Sequence, residues 1–254
     1  MRPLALVTGA SSGIGRALAL RLARAGHDLV LVSRDEARLR DVAAASGVPC
    51  RLIAQDLAAP DAARRIVERL DGAAVDVLVN NAGFGLHGDF AGTDLAAERA
   101  MIQTQAVAPM ELTKMLLPGM IARRRGRILN VGSVYSYGPA PHQAIYVATK
   151  AFLLSFSAAL RGELEGSGVT VTALLPGLTQ TEFHQRAGIA AKRMKAMSSE
   201  DVADAAYRGL EAGRAVVITG ATGRIFVLLY RLLPMAAYLR LMAGINRLRG
   251  LKPR

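Results

Sequence analysis

Three side chains that could move a proton lie close together in this sequence: Ser133, Tyr146 and Lys150. Tyr146 and Lys150 are four residues apart in the stretch YVATK, so on a helix they share one face. A free tyrosine loses its proton near pH ~10, and a neighbouring ammonium group lowers that pKa toward neutrality. A serine that ends a strand can hydrogen-bond a substrate oxygen. Singly, each could be a packed ring, a solvated charge or a strand cap; together they predict acid–base chemistry at an oxygen atom.

A glycine-rich stretch near the start of the chain, TGASSGIG, predicts a site for the phosphates of a dinucleotide. It follows an apolar run and opens a segment with helical periodicity. Gly9 permits a tight turn, Gly13 lets a pyrophosphate approach the backbone, and Gly15 allows close packing of helix on strand. The N–H groups of the helix start and the hydroxyls of Ser11 and Ser12 would hold the phosphates. Because Gly-x3-Gly-x-Gly differs from the commoner spacing, a plain glycine-rich turn is the alternative.

The residues that follow the second apolar run indicate which ribose this site would bind. Asp28 is about 20 residues beyond the glycines, but it lies at the start of that run, at the wrong end of a strand. Ser33 and Arg34 stand at the carboxyl end, followed by Asp35. Arg34 and Arg16 could bind a 2′-phosphate through charge-assisted hydrogen bonds, which predicts NADP(H). The alternative is that both are ordinary surface arginines.

Seven short apolar runs alternate with segments of helical periodicity along the chain. The runs cover residues 4–9, 28–34, 50–56, 75–81, 126–133, 169–177 and 215–220. This alternation indicates βαβ units and a parallel sheet, and because the runs are almost continuously apolar, helices should cover both faces. We predict a single-domain α/β fold with a doubly wound, mainly parallel seven-stranded sheet. Its dinucleotide-binding and catalytic part spans 1–222, and an apolar, basic helical extension spans 223–254.

The sequence resembles the short-chain dehydrogenase/reductase family from residue 4 to about residue 220. The motifs that carry the resemblance are TGASSGIG, NNAG at 80–83, Ser133 in NVGSV, YVATK at 146–150 and PGLTQT at 176–181, in that order. The resemblance implies a Rossmann fold and an NADP(H)-dependent oxidoreductase. In such an enzyme, hydride passes between the nicotinamide and a substrate carbon that is either a ketone or a secondary alcohol.

The resemblance also implies a role for each matching residue. Tyr146 exchanges a proton with the substrate oxygen, Ser133 steadies that oxygen, and Lys150 lowers the pKa of Tyr146 and holds the nicotinamide ribose. Asp56 would contact the adenine edge and Thr181 the carboxamide, while Asn80, Ala82 and Gly83 would flank the adenosine. The full set of implied cofactor contacts is Gly9, Ser11, Ser12, Gly13, Ile14, Gly15, Arg16, Ser33, Arg34, Asp56, Leu57, Asn80, Ala82, Gly83, Tyr146, Lys150, Pro176, Gly177, Thr179 and Thr181. No metal site is predicted.

One position departs from the family pattern. The family usually carries an asparagine in the long helix before the fifth strand, where it anchors a water that relays protons to the lysine. The matching residue here is Gln105, which keeps the amide but is one methylene longer. Gln105 therefore has two interpretations, a catalytic part in the relay or simple helix packing.

Residues on loops near Tyr146 predict a largely apolar substrate pocket. They are Phe84, Tyr135, Tyr137, His142, Leu178 and Phe183, and loop packing is the alternative for each. The segment 181–198 is predicted to form a helical lid whose basic face could meet an acidic carrier or headgroup. The predicted substrate is a small apolar ketone or alcohol, free or linked to a carrier.

Composition and charge limit the possible locations and partners of the protein. The net charge of +12 invites a nucleic-acid interpretation, but Trp is absent, aromatic residues are 5%, and most arginines are scattered over predicted helices. We therefore predict no nucleic-acid partner. The single cysteine, Cys50, precludes an intrachain disulfide, and no signal peptide is recognised, so a cytoplasmic location is predicted.

Two apolar helical segments predict contacts beyond the site. Helix 147–165 is apolar on more than one face, which indicates burial on two sides and a homodimer. Segment 223–254 is interrupted by Arg231, Pro234 and Arg240, so it is a poor transmembrane span. Peripheral membrane contact, packing over the pocket and a subunit contact are its three interpretations. The rival for the whole chain is a non-catalytic NADP(H)-binding regulator or scaffold, favoured only by Gln105.

Overall fold

The structure is a computed structural model, and it describes residues 2–181 and 196–248. Its strands are β1 (Leu4–Thr8), β2 (Asp28–Ser33), β3 (Cys50–Ala54), β4 (Val77–Asn80), β5 (Gly126–Val131), β6 (Val169–Leu175) and β7 (Val216–Ile218). They form one sheet in the order β3-β2-β1-β4-β5-β6-β7, with every neighbouring pair parallel. The predicted seven-stranded, doubly wound parallel sheet is confirmed.

The strand order reverses between β1 and β4, and this reversal creates the site. The chain runs outward from β1 to β3, then returns to the other side of β1 and runs outward again to β7. Helices on the two sides of this point diverge, which leaves a crevice at the carboxyl ends of the strands. Ala5, Leu6 and Val7 of β1 are fully buried there, because helices cover the sheet on both faces.

Helices pack on both faces of this sheet. They are α1 (Gly13–Arg24), α2 (Glu36–Ser46), α3 (Ala62–Glu68), α4 (Leu95–Ile102), α5 (Ala108–Ala122), α6 (Ala144–Glu163), α7 (Ser199–Glu211), α8 (Ala221–Leu232) and α9 (Met235–Leu248). One apolar core lies between the sheet and α1, α2 and α7, and includes Leu18 and Leu39. A second lies between the sheet and α3, α5 and α6, and includes Ile66 and Leu112.

A π-helical turn over Gln103–Val107 joins α4 to α5 without a break. Pro109, in the first turn of α5, has no N–H to donate to the carbonyl of Gln105, and its ring crowds that carbonyl. A wider turn relieves this conflict. The turn also directs the Gln105 side chain into the interior, where it is fully buried.

Helix α6 carries Tyr146 and Lys150 across the sheet. It begins at Ala144, three residues before the predicted start, and ends at Glu163. Within the part of the chain that the structure describes, α6 is the one helix long and apolar enough to cross a membrane by length and composition. It packs against β5 and β6, and Ser157 on its buried face hydrogen-bonds to Asn130 of β5, as expected for a core helix.

The two C-terminal helices close one side of the crevice. Tyr238 and Met242 of α9 are buried against Ala140 and Val147, in a third apolar cluster beside the start of α6. Phe226 of α8 packs on the edge of the same cluster. Segment 223–254 had three interpretations. The inner faces of these two helices follow the second of them, packing over the site.

Candidate active site

The glycine turn after β1 has the conformation that a close phosphate requires. Gly9 and Gly13 adopt left-handed φ angles of +65° and +53°, which favour glycine. A Cβ on Gly9 would lie 2.8 Å from the Cα of Ala82, and a Cβ on Gly15 would collide with the carbonyl of Gly9. At Gly13 a Cβ would lie 3.1 Å from the Cγ2 of Thr181, which brings that predicted nicotinamide contact over the turn.

The start of α1 leaves its backbone donors available for an anion. Ser12 is the N-cap residue, but its side chain makes no capping hydrogen bond, and the first turn holds no acidic residue. Ile14 packs on the core behind the turn. The positive end of the helix dipole therefore faces the glycine turn without a competing carboxylate, as a bound pyrophosphate requires.

Asn81 holds this turn against the next strand. Its backbone N–H donates to the Thr8 hydroxyl at 3.0 Å, and its side-chain amide donates to the carbonyls of Thr8 at 2.9 Å and of Gly9 at 3.3 Å. The backbone of Ala82 also donates to the Thr8 hydroxyl, at 3.1 Å. These bonds join the loops after β1 and β4 into one rigid floor for the crevice.

The loop after β2 presents Arg34, and the first turn of α1 presents Arg16. Asp35 caps α2, since its side chain accepts from the backbone N–H of Arg38 at 3.1 Å, and it also pairs with the Arg38 guanidinium at 3.4 Å. Arg34 and Arg16 are exposed, and within residues 2–181 and 196–248 neither forms an ion pair with an acidic side chain. The negative group at this end of the crevice is thus already bound, while two guanidinium groups remain for a 2′-phosphate.

Ser133, Tyr146 and Lys150 converge at the carboxyl end of β5. The Nζ atom of Lys150 donates to the carbonyl of Val131 at 3.0 Å and lies 5.7 Å from the centre of the Tyr146 ring. The side chains of Ser133 and Tyr146 are hydrogen-bonded to each other. The Ser133 hydroxyl also accepts from the backbone N–H of Tyr135 at 3.2 Å, which fixes its rotamer. The three residues that the sequence singled out therefore lie at one place in the fold.

Burial shifts the pKa values of this group in opposite directions. Burial of the phenol raises the pKa of Tyr146 to about 12, and the hydrogen bond from Ser133 acts against this rise. Burial of the ammonium lowers the pKa of Lys150 to about 8. Each charged form is therefore disfavoured alone, and a phenolate beside an ammonium would stabilise both. Strong shifts on adjacent groups in a crevice are typical of acid–base sites.

A buried polar network supports α6 beneath the site. The Asn80 amide donates to Asn130 at 2.8 Å and to Thr113 at 3.3 Å, and the Asn130 amide donates to Ser157 at 2.8 Å. The network joins β4, β5, α5 and α6 in the core. The Asn80 side chain is buried and donates within this network, so the predicted contact of Asn80 with an adenosine would fall to its backbone and stays a prediction.

Gln105 braces the loop after β4 from below. Its side-chain amide donates to the carbonyl of Phe84 at 3.0 Å, and a Cβ on Gly83 would lie 2.7 Å from the Gln105 Oε1 atom. That oxygen is buried and, within the described residues, has no hydrogen-bond donor. Phe84 therefore contributes a backbone acceptor here, and Gln105 offers an amide oxygen suited to a water.

A small, open cleft lies beside Tyr146. Its lining mixes apolar and polar side chains, among them Leu86, Phe90, Glu98, His142, Ile145 and Tyr146. His142 adopts a left-handed φ of +66° and is held there by a hydrogen bond of 2.7 Å between its Nδ1 atom and the Asp89 carboxylate and by a hydrogen bond from the Gly88 N–H to its carbonyl. Burial and the neighbouring His142 lower the pKa of His87.

Aromatic side chains from the C-terminal helices complete the wall of the crevice. Tyr135 meets the edge of the Phe226 ring at 5.3 Å between ring centres, and Tyr238 meets Phe226 and Tyr230 in the same way. Tyr137 lies under the Arg231 guanidinium, 5.2 Å from its ring centre. The predicted pocket residues Tyr135 and Tyr137 therefore contact α8.

The remaining predicted residues lie at the same edge of the sheet, with one group outside the described chain. The Pro176 carbonyl accepts from Val134, and the Thr179 hydroxyl donates to the Gly177 carbonyl at 3.0 Å. Leu178 is half-buried in this loop, Asp56 is exposed after β3, and Leu57 is buried. Phe183 and most of the predicted lid 181–198 lie outside the described residues.

A family model described as short chain dehydrogenase matches residues 3–191. The chain belongs to the short-chain dehydrogenase/reductase family. It is an oxidoreductase of that family. One relative, an uncharacterized short-chain type dehydrogenase/reductase of Sinorhizobium fredii, is 40% identical over 187 residues, which cover 72% of this chain and 73% of the relative.

Solved structures of other short-chain dehydrogenases share the fold over nearly the whole chain. A short-chain dehydrogenase from Sphingobium yanoikuyae in complex with NADPH is 35% identical, with a TM-score of 0.81 and coverage of 99% of this chain and 96% of that one. A bulky-bulky ketone specific alcohol dehydrogenase from Comamonas testosteroni is 32% identical, with a TM-score of 0.78 and coverage of 90% and 92%.

Several residues that shape the site of this short-chain dehydrogenase were not predicted from its sequence. Asn81 is the one residue of NNAG that is not among the predicted site residues, although it hydrogen-bonds to the end of β1 beside the glycine turn. Asn130 and Thr113 join the support of α6 only because β4 and β5 are neighbours. Glu98 is buried in the cleft with its carboxylate bonded to the Thr93 hydroxyl at 2.6 Å, and a lone acid on a helix gave no signal of this.

Proposed function

We propose that the protein is an NADP(H)-dependent oxidoreductase that interconverts a ketone and a secondary alcohol on an apolar substrate. The observation that carries the proposal is the convergence of Ser133, Tyr146 and Lys150 at the carboxyl end of β5. The three groups are hydrogen-bonded or adjacent, and they lie where ligands gather in an open α/β sheet. Family membership supports hydride transfer as the reaction type.

The crevice fits NADP(H) as the cofactor. The glycine turn and the uncapped start of α1 would hold the pyrophosphate, and Arg16 and Arg34 would hold the 2′-phosphate. Ser11 and Ser12 add hydroxyl donors, whereas the Ser33 hydroxyl donates to the Asp35 carbonyl at 3.2 Å, and Thr181 lies over the turn. The NADPH complex of the Sphingobium yanoikuyae enzyme supports this choice.

The chain's own residues account for the proton. NADPH supplies a hydride at the nicotinamide ring, and NADP+ accepts one. In reduction, Tyr146 donates its phenolic proton to the carbonyl oxygen as that oxygen gains charge, and Ser133 steadies the oxygen with its hydroxyl. Lys150 stabilises the phenolate that remains, and it would hold a ribose hydroxyl. In oxidation the same groups act in reverse, with the Tyr146 phenolate as the base.

The proposed substrate is a ketone or alcohol with apolar groups. Leu86, Phe90 and Ile145 line the cleft beside Tyr146, and Tyr135 meets Phe226 of α8 two residues after Ser133. Glu98 and His142 add polar atoms to the lining, which suits a substrate with a polar group besides the ketone. The ketone-specific relative from Comamonas testosteroni supports this class of substrate.

Assembly as a homo-oligomer and a cytoplasmic location complete the proposal. Met110, Met115 and Phe152 expose apolar surface on α5 and α6, and Phe152 stacks on Phe156 at 5.6 Å between ring centres. A second copy covering this surface would bury it. The single, free Cys50 is compatible with a reducing compartment.

Turnover of NADPH with a panel of ketones tests the proposed function. The panel would contain small ketones, bulky aryl ketones, 3-oxoacyl thioesters and sterol-like ketones. Tyr146→Phe keeps the ring but removes the transferable proton, so we expect turnover to fall by about 10²–10⁴-fold while NADPH still binds. A parent protein that binds NADPH but turns over no ketone would instead favour the regulator or scaffold.

A further inference from the structure

Helix α8 exposes an apolar stripe on its outer face. Ile225, Leu228 and Leu232 are 57%, 55% and 71% exposed, and their spacing places them on one side of the helix. Leu229 widens this stripe, which we call the outer stripe. Large apolar side chains that are exposed together on one face mark an interaction surface.

The opposite face of α8 is already packed. Gly223 and Val227 are buried, and Phe226 and Tyr230 pack on the cluster that includes Tyr238. A Cβ on Gly223 would lie 2.9 Å from the Cγ1 of Val134, so the helix backbone lies close against the turn that follows Ser133. The helix is therefore apolar on two opposite faces, and only one of them is covered by the described residues.

The charge of this part of the chain has a single sign. Glu211 is the last acidic residue, and the 43 residues after it carry eight of the twelve net positive charges. They are Arg214, Arg224, Arg231, Arg240, Arg247, Arg249, Lys252 and Arg254. Arg224 and Arg231 are seven residues apart, so they lie along one flank of the outer stripe, and both are exposed.

This charge pattern selects the occupant of the stripe. A second copy docked by two-fold symmetry would bring the same arginines toward each other, and the segment after Glu211 holds no acidic residue to pair with them. A bilayer surface rich in anionic lipid offers acyl chains for the leucines and phosphates for the arginines. We propose that the outer stripe and its arginines dock the protein on anionic lipid surfaces.

The docked surface lies next to the candidate active site. Phe226, on the inner face of α8, meets Tyr135, two residues after Ser133. Lipid would therefore contact the outer side of the same helix that walls the crevice. Delivery of an apolar substrate from the lipid rests on the proposed function, whereas the docking itself does not.

Co-sedimentation with vesicles tests the docking without any substrate. The full-length protein should sediment with vesicles of mixed phosphatidylcholine and phosphatidylglycerol, and much less with phosphatidylcholine alone. Raising the salt from about 0.1 M to about 0.5 M should release it, because added ions screen the arginines. Equal binding to both vesicle types, or to neither, overturns the proposal.

Matched variants separate the stripe from general stickiness. Leu228→Ser with Leu232→Ser should lower the partition coefficient about tenfold or more, since two exposed leucines no longer enter the lipid. Leu95→Ser with Ile121→Ser is the control, because these leucine and isoleucine side chains are exposed on α4 and α5. A control pair that weakens binding as much as the stripe pair overturns the proposal.

A second pair of substitutions tests the charge, and two further measurements exclude other causes. Arg224→Gln with Arg240→Gln should remove most of the preference for anionic vesicles. Circular dichroism checks that each variant folds, and NADPH binding in solution should match the parent. If Leu228→Ser with Leu232→Ser halves the mass found by light scattering, the stripe is a subunit interface and the proposal fails.

Discussion

Lys150 is an ammonium group buried in the core, with the Val131 carbonyl as the hydrogen-bond acceptor of its Nζ atom. Burial lowers its pKa from 10.5 to about 8, which corresponds to about 3 kcal/mol lost by the folded state at neutral pH. A substitution of Lys150 that removes this cost also removes the hydrogen bond to Val131, which reduces the gain in stability by about 1 kcal/mol. Lys150→Met should therefore raise the free energy of unfolding at neutral pH by about 2 kcal/mol while turnover is lost.

Urea unfolding across pH measures this effect and its sign. Above pH ~8 the folded parent has released the Lys150 proton, whereas the unfolded chain keeps it up to pH ~10.5. The parent should gain stability as pH rises through this window, and the difference from Lys150→Met should narrow. A variant that is less stable than the parent at neutral pH would show that Lys150 supports the fold.

Gln105 has a buried amide oxygen with no donor among the described residues, beside the loop that carries Gly83 and Phe84. If that oxygen holds a relay water, Gln105→Ala should slow turnover and leave NADPH affinity nearly unchanged. Gln105→Asn should restore activity to the parent level or above it. The measurement is kcat across pH together with an NADPH titration.

The outcome against the relay is equally specific. Gln105→Ala also deletes the bond to the Phe84 carbonyl, so thermal unfolding of each variant has to be followed in parallel. A Gln105→Ala variant with the parent's rate at every pH would assign Gln105 to packing alone. Protons would then leave the site by another route.

At the scale of elements, the loop between β2 and α2 sets the cofactor preference. Arg34 is exposed there, and Asp35 is already engaged as the cap of α2. Arg34→Ala should narrow the preference for NADPH over NADH by about 1.5–3 kcal/mol, the range for a hydrogen bond to a charged group. Titrations of both cofactors measure it.

Arg40 provides the matched control for that titration. It is also on the loop side of α2, but its guanidinium is paired with Glu36 at 2.5 Å. Arg40→Ala should leave the ratio of affinities near that of the parent. Equal affinities of the parent for NADPH and NADH would refute the assignment of Arg34 and Arg16 to a 2′-phosphate.

The strands were predictable because each one is formed by a short apolar run that is continuous in the sequence. Each predicted run contains its strand, and the ends differ where a turn begins, as at Gly9, whose φ of +65° leaves the strand direction. The pairing of Tyr146 with Lys150 was equally predictable, since the two residues are one helical turn apart. The exposed arginines beside the glycine turn were predictable as well, because Arg16 follows the last glycine and Arg34 follows the second apolar run.

Features that depend on neighbouring elements were not predictable in this way. Asn80 lies in the predicted run 75–81 and was expected beside the adenosine, but its side chain pairs with Asn130, which lies directly opposite it in register on β5. The position of Gln105 depends on a π-helical turn that helical periodicity does not reveal. The inner faces of α8 and α9 became part of the site only through contacts with Tyr135 and Val147.

At the scale of the whole molecule, two regions of exposed apolar side chains carry the two proposed interactions. One is the outer stripe of α8, and the other is the surface of α5 and α6 around Phe152. Phe152→Glu should convert the proposed oligomer into a monomer, since it places a charge in an apolar interface. Light scattering measures the mass, and Leu95→Glu on α4 is the control.

The two regions make different demands on that experiment. Phe152→Glu should leave vesicle binding intact, because Phe152 lies on α6, whereas the outer stripe lies on α8. A parent protein that is monomeric at every concentration would contradict the proposed oligomer. The stacked rings of Phe152 and Phe156 would then be simple surface packing.

The π-helical turn over Gln103–Val107 also constrains the length of the chain at that point. Each residue of an α-helix rotates the chain by about 100°, and a π turn holds about one residue more than an α turn. Deleting one residue within it would leave an ordinary α turn, which completes the same rotation with about one residue fewer, so α4 and α5 would keep their relative orientation. Met101 would stay in the core and Glu98 in the cleft, whereas the Gln105 side chain would lose the turn that directs it into the interior, and the crowding at Pro109 would return. Relatives that are one residue shorter in this turn should therefore keep the surrounding fold without an amide where Gln105 stands.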